Sequence, residues 1–214
     1  MSMPSKLIIV GEGEWLDIAH DAAIRLGRWT QIDLIVLGRT GPYSFDIELK
    51  LGEVVNEAEY FLALDGDHFG TIRESILSNM MQKGCSIATL VPEACMKLFK
   101  MNANCMIHPT AIVSFQNSGW GYNVFIGSNA YVGAGVSIAR TVTISSNSEV
   151  HTKAAIGKNV SLNSKVIVQS SVSVKPFSSI DCHHEPETML TPKNISYYKS
   201  DLFPRQVTFS DNNA

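Results

Sequence analysis

Beginning at Ile126 and stepping by six, the chain reads Ile126, Val132, Ile138, Ile144, Val150, Ile156, Leu162, Val168, Val174 and Ile180, aliphatic at every step. Two positions earlier runs a second register of Val124, Ala130, Val136, Val142, Ser148, Ala154, Val160, Val166, Val172 and Ser178, all small or β-branched. Two interleaved registers that hold through ten hexads mark internal repetition. A period of six does not fit the 3.6-residue turn of a helix, and it is too regular for hairpins, which need turn clusters. It fits a parallel β-solenoid. Each hexad supplies a short strand and a corner, three hexads close a triangular coil, and the aliphatic residue points into the prism, so that stacked coils bury one apolar column. "MIHPTAIVSF" and "SGWGYNVF" read as an irregular first coil, with one extra residue between Val113 and Trp120. Gly127, Gly133 and Gly157, each directly after an aliphatic position, suit corners with unusual backbone angles.

The first hundred residues follow another rhythm. "KLIIVGEGEWLDIAHDAAIRLG" reads as an apolar strand, a glycine turn and a helix with Leu16, Ala19, Ala22, Ala23 and Leu26 near one face. "IDLIVLG" (32–38) and "EYFLALDGD" (59–67) read as strands. "TIRESILSNMMQKG" (71–84) reads as a helix stopped at Gly84, and "CSIATLVPEA" as a last strand stopped by Pro92. Strands alternating with helices predict a small parallel α/β sheet, whose ligands sit beyond the C-terminal strand ends. At the first such end stand Gly11 and Gly13, two of the three glycines of G-x-G-x-x-G, with Asp17 near the third slot. Backbone N–H groups of that turn can receive a phosphate. Glu12, Glu14 and Asp17 bring negative charge where a pyrophosphate would approach, so a tight turn without ligand stands beside the phosphate reading.

Composition sets outer limits. A net charge of −3 and no Lys/Arg run argue against nucleic-acid or anionic-membrane partners. "MSMPSKLIIVGEGEW" has too few apolar residues for a signal-peptide core or a membrane span, and a cytoplasmic protein is expected. Cys85, Cys95, Cys105 and Cys182 form no CxxC pair, so reduced thiols are expected rather than a zinc site or disulfide framework.

"NVFIGSNAYVGAGVSI" and "AAIGKNVSL" resemble the hexapeptide-repeat acyltransferases with a left-handed β-helix. An α/β unit ahead of the repeat, joined through "CSIATLVPEA" and "CMIHPTAIV", is similar to the sialic-acid O-acyltransferase and bacillosamine N-acetyltransferase branch, over residues 6 to about 181. The resemblance implies a Rossmann-like α/β domain over 1–100, a left-handed β-helix over 106–182 and a tail or cap over 183–214. The handedness comes from the resemblance, since parallel crossovers are ordinarily right-handed. It further implies a homotrimer that transfers an acetyl group from acetyl-CoA to an amine or hydroxyl of a nucleotide-linked sugar, as in surface-polysaccharide biosynthesis. The N-terminal domain would hold the nucleotide, and neighbouring β-helices would form the reaction cleft.

In such relatives a histidine takes the acceptor's proton and a carboxylate orients it. The family pattern runs aliphatic, any residue, His, Asp/Glu/Asn, two residues, then aliphatic-Gly. Here it falls on Val150, His151, Thr152, Lys153, Ala154, Ala155, Ile156 and Gly157. Thr152 stands in the histidine slot, Lys153 in the acid slot, and His151 one position early, where a one-residue shift turns a strand side chain to the other face. The second histidine slot, one hexad on, holds Ser161. His151, Thr152 and Ser161 are therefore the candidate catalytic residues, with no acid evident beside His151, and a solvent-facing corner histidine is the rival reading. Gly11, Gly13 and Arg39 are the candidate acceptor-binding residues, Arg39 standing where relatives carry an Asp, and "LDGDH" holds the place of a third-strand "GDN"-like turn. A catalytically degenerate trimer that binds a nucleotide sugar or a protein is the alternative. His183, His184 and Glu185 are adjacent without further ligand spacing, so no metal site is expected. Tyr197, Tyr198, Leu202 and Phe203 are expected to cap the solenoid.

Overall fold

The computed structural model describes residues 6–41, 44–47, 54–55, 57–64, 70–98, 102–116, 118–180 and 189–190. The N-terminal elements are β1 (Lys6–Gly11), α1 (Gly13–Leu26), β2 (Gln31–Val36), the hairpin β3 (Arg39–Gly41) and β4 (Ser44–Phe45), β5 (Ala58–Ala63), α2 (Thr71–Gln82), β6 (Ser86–Ile87) and α3 (Glu93–Leu98). Strands β2, β1, β5 and β6 pair in that order, all parallel. The unbroken apolar runs of β1 and β5 suit strands covered on both faces. Leu7, Ile9, Phe61 and Ala63 pack on Trp15, Leu16, Ala19 and Ala23 of α1. Ile8, Val10, Tyr60 and Leu62 face Ile76, Leu77 and Met80 of α2. Helix α1 stops at Gly27, whose φ of 60° is the left-handed C-terminal stop open to glycine.

The last predicted strand is cut short. β6 keeps only Ser86 and Ile87, and the Ala88 N–H donates to the Tyr60 carbonyl at 2.7 Å before the chain leaves the sheet. Leu90 then forms an isolated parallel bridge with Met106. The segment is shared between the two architectures, because it has to carry the chain from one to the other.

From Met106 the chain winds as a parallel β-helix. The first coil is β7 (Met106–Ile107), β8 (Ile112–Val113) and β9 (Gly119–Trp120). Each following hexad adds a two-residue strand: β10 (Phe125–Ile126), β11 (Tyr131–Val132), β12 (Ser137–Ile138), β13 (Thr143–Ile144), β14 (Glu149–Val150), β15 (Ala155–Ile156), β16 (Ser161–Leu162), β17 (Ile167–Val168), β18 (Ser173–Val174) and β19 (Ser179–Ile180). These stack as three sheets, β7-β10-β13-β16-β19, β8-β11-β14-β17 and β9-β12-β15-β18, with β20 (Met189–Leu190) added beyond β17. All the aliphatic residues of the first register, and all of the second, are buried.

The corners turn differently from expectation. The left-handed residue is the third after each aliphatic, namely Asn129, Gly135, Thr141, Asn147, Lys153, Asn159, Lys165, Ser171 and Phe177. Gly127, Gly133 and Gly157 are not among the positive-φ residues. They are glycines because a Cβ at each would lie 2.7, 2.8 and 2.6 Å from a backbone nitrogen of the next coil, at Ser146, Thr152 and Pro176.

One face of the prism is covered by the α/β unit. Met106 and Phe125 point outward from the first sheet into the core under α1, and the Phe125 ring centroid is 5.4 Å from both Trp15 and Phe61. Arg73 of α2 is buried at this junction. It donates from Nη1 to the Leu64 carbonyl at 3.1 Å and Thr143 Oγ1 at 2.9 Å, and from Nη2 to the Asn123 carbonyl at 3.1 Å, with its guanidinium 3.9 Å from the Phe125 centroid. At the edge of the junction Glu74 accepts from Tyr122 Oη at 2.6 Å and Arg140 Nε at 2.9 Å. Burial pushes the Glu74 carboxyl up, but these donors together outweigh it and hold it below the usual carboxylate range.

Candidate active site

Alternation along β14 sends Val150 into the prism and leaves Glu149 before it, and His151 after it, on the outside. The His151 N–H donates to the Val168 carbonyl at 2.9 Å, and its carbonyl accepts from the Ala154 N–H at 3.2 Å as the chain turns the corner. Both side chains are partly open to solvent, 35% for His151 and 46% for Glu149, and imidazole Nε2 lies 2.9 Å from Glu149 Oε2. Tyr131, paired with Glu149 across the β11–β14 ladder, sets its ring against the imidazole at 5.8 Å and 68°.

The missing acid is therefore present. It does not come from the slot after the histidine, where Lys153 bends the corner at a φ of 63°, but from two residues before it on the same strand face. The early register does not turn His151 inward either, since the inward place belongs to Val150. Chemically the pair is a solvent-accessible imidazole with its N–H directed at a carboxylate, leaving Nδ1 as an acceptor.

Thr152 is exposed in the same corner. Ser161 is elsewhere. It belongs to the first sheet, between Thr143 and Ser179, and is buried, so the structure places it on a different face from His151.

Gly11, Gly13 and Arg39 gather at the C-terminal ends of β1 and β2. Gly11 has no room for a side chain, because a Cβ would run into the Ala63 carbonyl of β5. Gly13 opens α1 at a φ of 60° with nothing within 4 Å of a Cβ position. Arg39 is tied to the same turn through Glu12, with Nη2 at 2.7 Å and Nε at 2.9 Å from Oε1. The Arg39 guanidinium also lies 5.5 Å from the Phe45 centroid. The rest of "LDGDH" after Leu64, the His183–His184 pair and the proposed cap residues lie outside the described residues.

A second histidine, not singled out from sequence, is engaged within the structure. His108 is buried where α1 meets the first coil, with Nε2 2.8 Å from Asp21 Oδ2 and Nδ1 2.8 Å from Thr110 Oγ1. The Thr110 N–H also donates to Nδ1 at 3.3 Å, which makes Nδ1 an acceptor and Nε2 the protonated nitrogen. Arg25, and then His108, hold the Asp21 carboxyl below its usual range. Only the long-range contact with α1 distinguishes this histidine from any other residue of "MIHPTAIV".

Among the described residues no cluster of His, Cys, Asp or Glu is placed to hold a metal ion, and no helix is long and apolar enough to cross a membrane. Cys85, Cys95 and Cys105 are free, and burial pushes the Cys105 thiol up to about 11.

No protein-family model matches the sequence, and no curated protein does. Solved structures share the fold. The acetyltransferase domain of PglB from Neisseria gonorrhoeae, in complex with acetyl coenzyme A, is 18% identical with a TM-score of 0.50, over 82% of this chain and 87% of that one. PerB from Caulobacter crescentus, in complex with CoA and GDP-perosamine, is 16% identical with a TM-score of 0.53, over 81% and 84%. A mutant of perosamine N-acetyltransferase from the same organism, with the same two ligands, is 15% identical with a TM-score of 0.50, over 81% and 84%. At these identities the likeness is one of fold, over most of each chain.

Proposed function

We propose that this protein is an acyltransferase that moves the acetyl group of acetyl-CoA onto an amine or hydroxyl of a nucleotide-linked sugar, with His151 as general base and Glu149 as its orienting acid. The observation that carries the reading is the His151–Glu149 pair, 2.9 Å apart and open to solvent on the outer wall of the β-helix. The shared fold supports the substrate class, since solved structures of that fold hold acetyl coenzyme A, or CoA with GDP-perosamine.

The chain's own groups fit the chemistry. With its N–H donated to Glu149, the imidazole offers Nδ1 to the acceptor's proton. As the acceptor nitrogen or oxygen bonds to the thioester carbonyl carbon, its proton passes to Nδ1. The intermediate then collapses with cleavage of the C–S bond, and the imidazolium returns the proton to the departing thiolate. Glu149 stabilises the imidazolium while it exists. Thr152, exposed beside His151, is the nearest hydroxyl on the corner by sequence, whereas Ser161 is buried under a different face and takes no part in this reading.

The same reading assigns residues 1–100 to the acceptor's nucleotide, with Gly11, Gly13 and Arg39 at the diphosphate. It takes 106–182 as a left-handed β-helix that trimerises through its uncovered faces, in a cytoplasmic enzyme of surface-polysaccharide biosynthesis. A second reading, a trimeric binding scaffold without catalysis, is favoured by one feature: Thr152 and Lys153 fill the two slots in which relatives carry the base and its acid. Incubating the protein with acetyl-CoA and a panel of nucleotide-linked amino sugars, with free thiol as the readout, separates the two. Acceptor-dependent thiol release is expected, and its absence with every acceptor favours the scaffold.

A further inference from the structure

The Glu149–His151 hydrogen bond is only partly buried, and a single polar contact reached by solvent does little to hold two side chains in one geometry. A base that must meet an acceptor in one orientation needs another restraint. Side chains on this face stack in columns along the β-helix, with Ile112, Tyr131, Glu149 and Ile167 one coil apart. The position after the aliphatic gives a second column of Ser114, Gly133, His151 and Gln169. Gly133 offers no side chain on one side of His151, because the next coil's backbone fills that space. Diagonal to this opening stands Tyr131, whose ring centroid lies 5.8 Å from that of the imidazole with the planes at 68°. Tyr131 is itself 36% exposed.

We propose that Tyr131 is a positioning residue for His151: its ring limits rotation of the imidazole, so that Nε2 stays on Glu149 and Nδ1 faces the acceptor. This rests on the reading of His151 as the base. The ring, not the phenol hydroxyl, supplies the restraint, so Tyr131→Phe keeps the function, while Tyr131→Ala and Tyr131→Leu lose it.

The test pairs two measurements on the full-length protein. In long-range ¹H–¹⁵N spectra, His151 of the parent and of Tyr131→Phe is expected in the Nε2-protonated form. Tyr131→Ala and Tyr131→Leu are expected to show a mixture of tautomers. With acceptor and acetyl-CoA, the same two variants should lose about 10²-fold in kcat with KM little changed, the scale of a catalytic group misplaced by about 1 Å, and Tyr131→Phe should restore it. Unchanged melting temperatures show that the variants are folded, and Tyr131→Leu keeps the test open if Tyr131→Ala is not. A parent-like tautomer and kcat in both variants overturns the positioning role and leaves the base intact. A rise in KM alone also overturns it, since Tyr131 would then be a binding contact. Full activity of His151→Ala overturns the base, a different failure recognised by a different variant.

Discussion

Asn104 takes the place of a missing strand beside Leu62. Its Oδ1 accepts the Leu62 N–H at 2.9 Å and its Nδ2 donates to the Leu62 carbonyl at 3.1 Å, so one carboxamide satisfies both backbone groups that the short β6 leaves unpaired. The same Nδ2 donates to Asn123 Oδ1 at 2.8 Å, one coil further on. The sheet of the α/β unit is thus finished by a side chain of the β-helix. Asn104→Gly tolerates the left-handed φ of 53° but takes the Asn104 partner from three buried polar groups, the Leu62 N–H, the Leu62 carbonyl and Asn123 Oδ1. Each is expected to cost about 1–3 kcal/mol, read as a lower denaturation midpoint. Asn104→Ala adds backbone strain and should be less stable still.

The inward register gives a second test. Ile156 is buried in the prism between Ile138 and Val174. Ile156→Asp places a carboxylate in an apolar column and is expected to destabilise by more than about 4 kcal/mol. Urea unfolding, or the yield of soluble protein, reads the effect, and a variant that melts like the parent would refute the register.

The catalytic pair is tested residue by residue. His151→Ala is expected to lower turnover by about 10²–10⁴-fold with little change in melting temperature, since the side chain lies on the outer wall and is a third exposed. Glu149→Gln should lower kcat less than His151→Ala does, because the imidazole keeps a hydrogen-bonding neighbour but loses its counter-charge. Steady-state kinetics against one acceptor compares the three proteins.

Acid should loosen the junction between α2 and the β-helix. Glu74 is held below the ordinary carboxylate range in the folded protein, so its contribution to stability is present above that range and is lost as pH falls through the lowered folded value. Glu74→Gln is expected to melt lower than the parent at neutral pH and to lose less on acidification. Thermal melts from pH 7 down to pH 3 measure both slopes.

At the glycine turn, Glu12 competes with a diphosphate for Arg39, whose Nη2 it holds at 2.7 Å. Glu12→Gln removes that competitor and one negative charge. Uridine or guanosine diphosphate sugars are expected to raise the melting temperature of the parent through binding linkage, more so for Glu12→Gln and less for Arg39→Ala. No shift in any of the three at millimolar ligand would remove the nucleotide from the turn.

The six-residue period exposed the inward column directly, because side chains facing a shared axis obey one repeated constraint. It says less about outward residues, whose neighbours come from elsewhere. Asn104, Arg73 and His108 act across the junction between the α/β unit and the β-helix, on partners such as Leu62, Thr143 and Asp21 that no local pattern links to them. The end of β6 was hidden for the same reason, since Leu90 pairs with Met106 rather than with the sheet. The acid beside His151 was within reach of the sequence. Residues two apart on a strand share a face, and Glu149 and His151 flank an inward Val150.

From Gly119 to Ile180, ladder partners in the β-helix stand eighteen positions apart, as Phe125 does from Thr143 and Tyr131 from Glu149. The molecule can therefore change length only in whole coils. Removing eighteen residues would shorten the prism and return every later side chain to its own wall. Removing six would rotate all that follows by one wall. The polar pair Glu149 and His151 would then be carried toward the wall that Trp15, Phe61 and Arg73 close off.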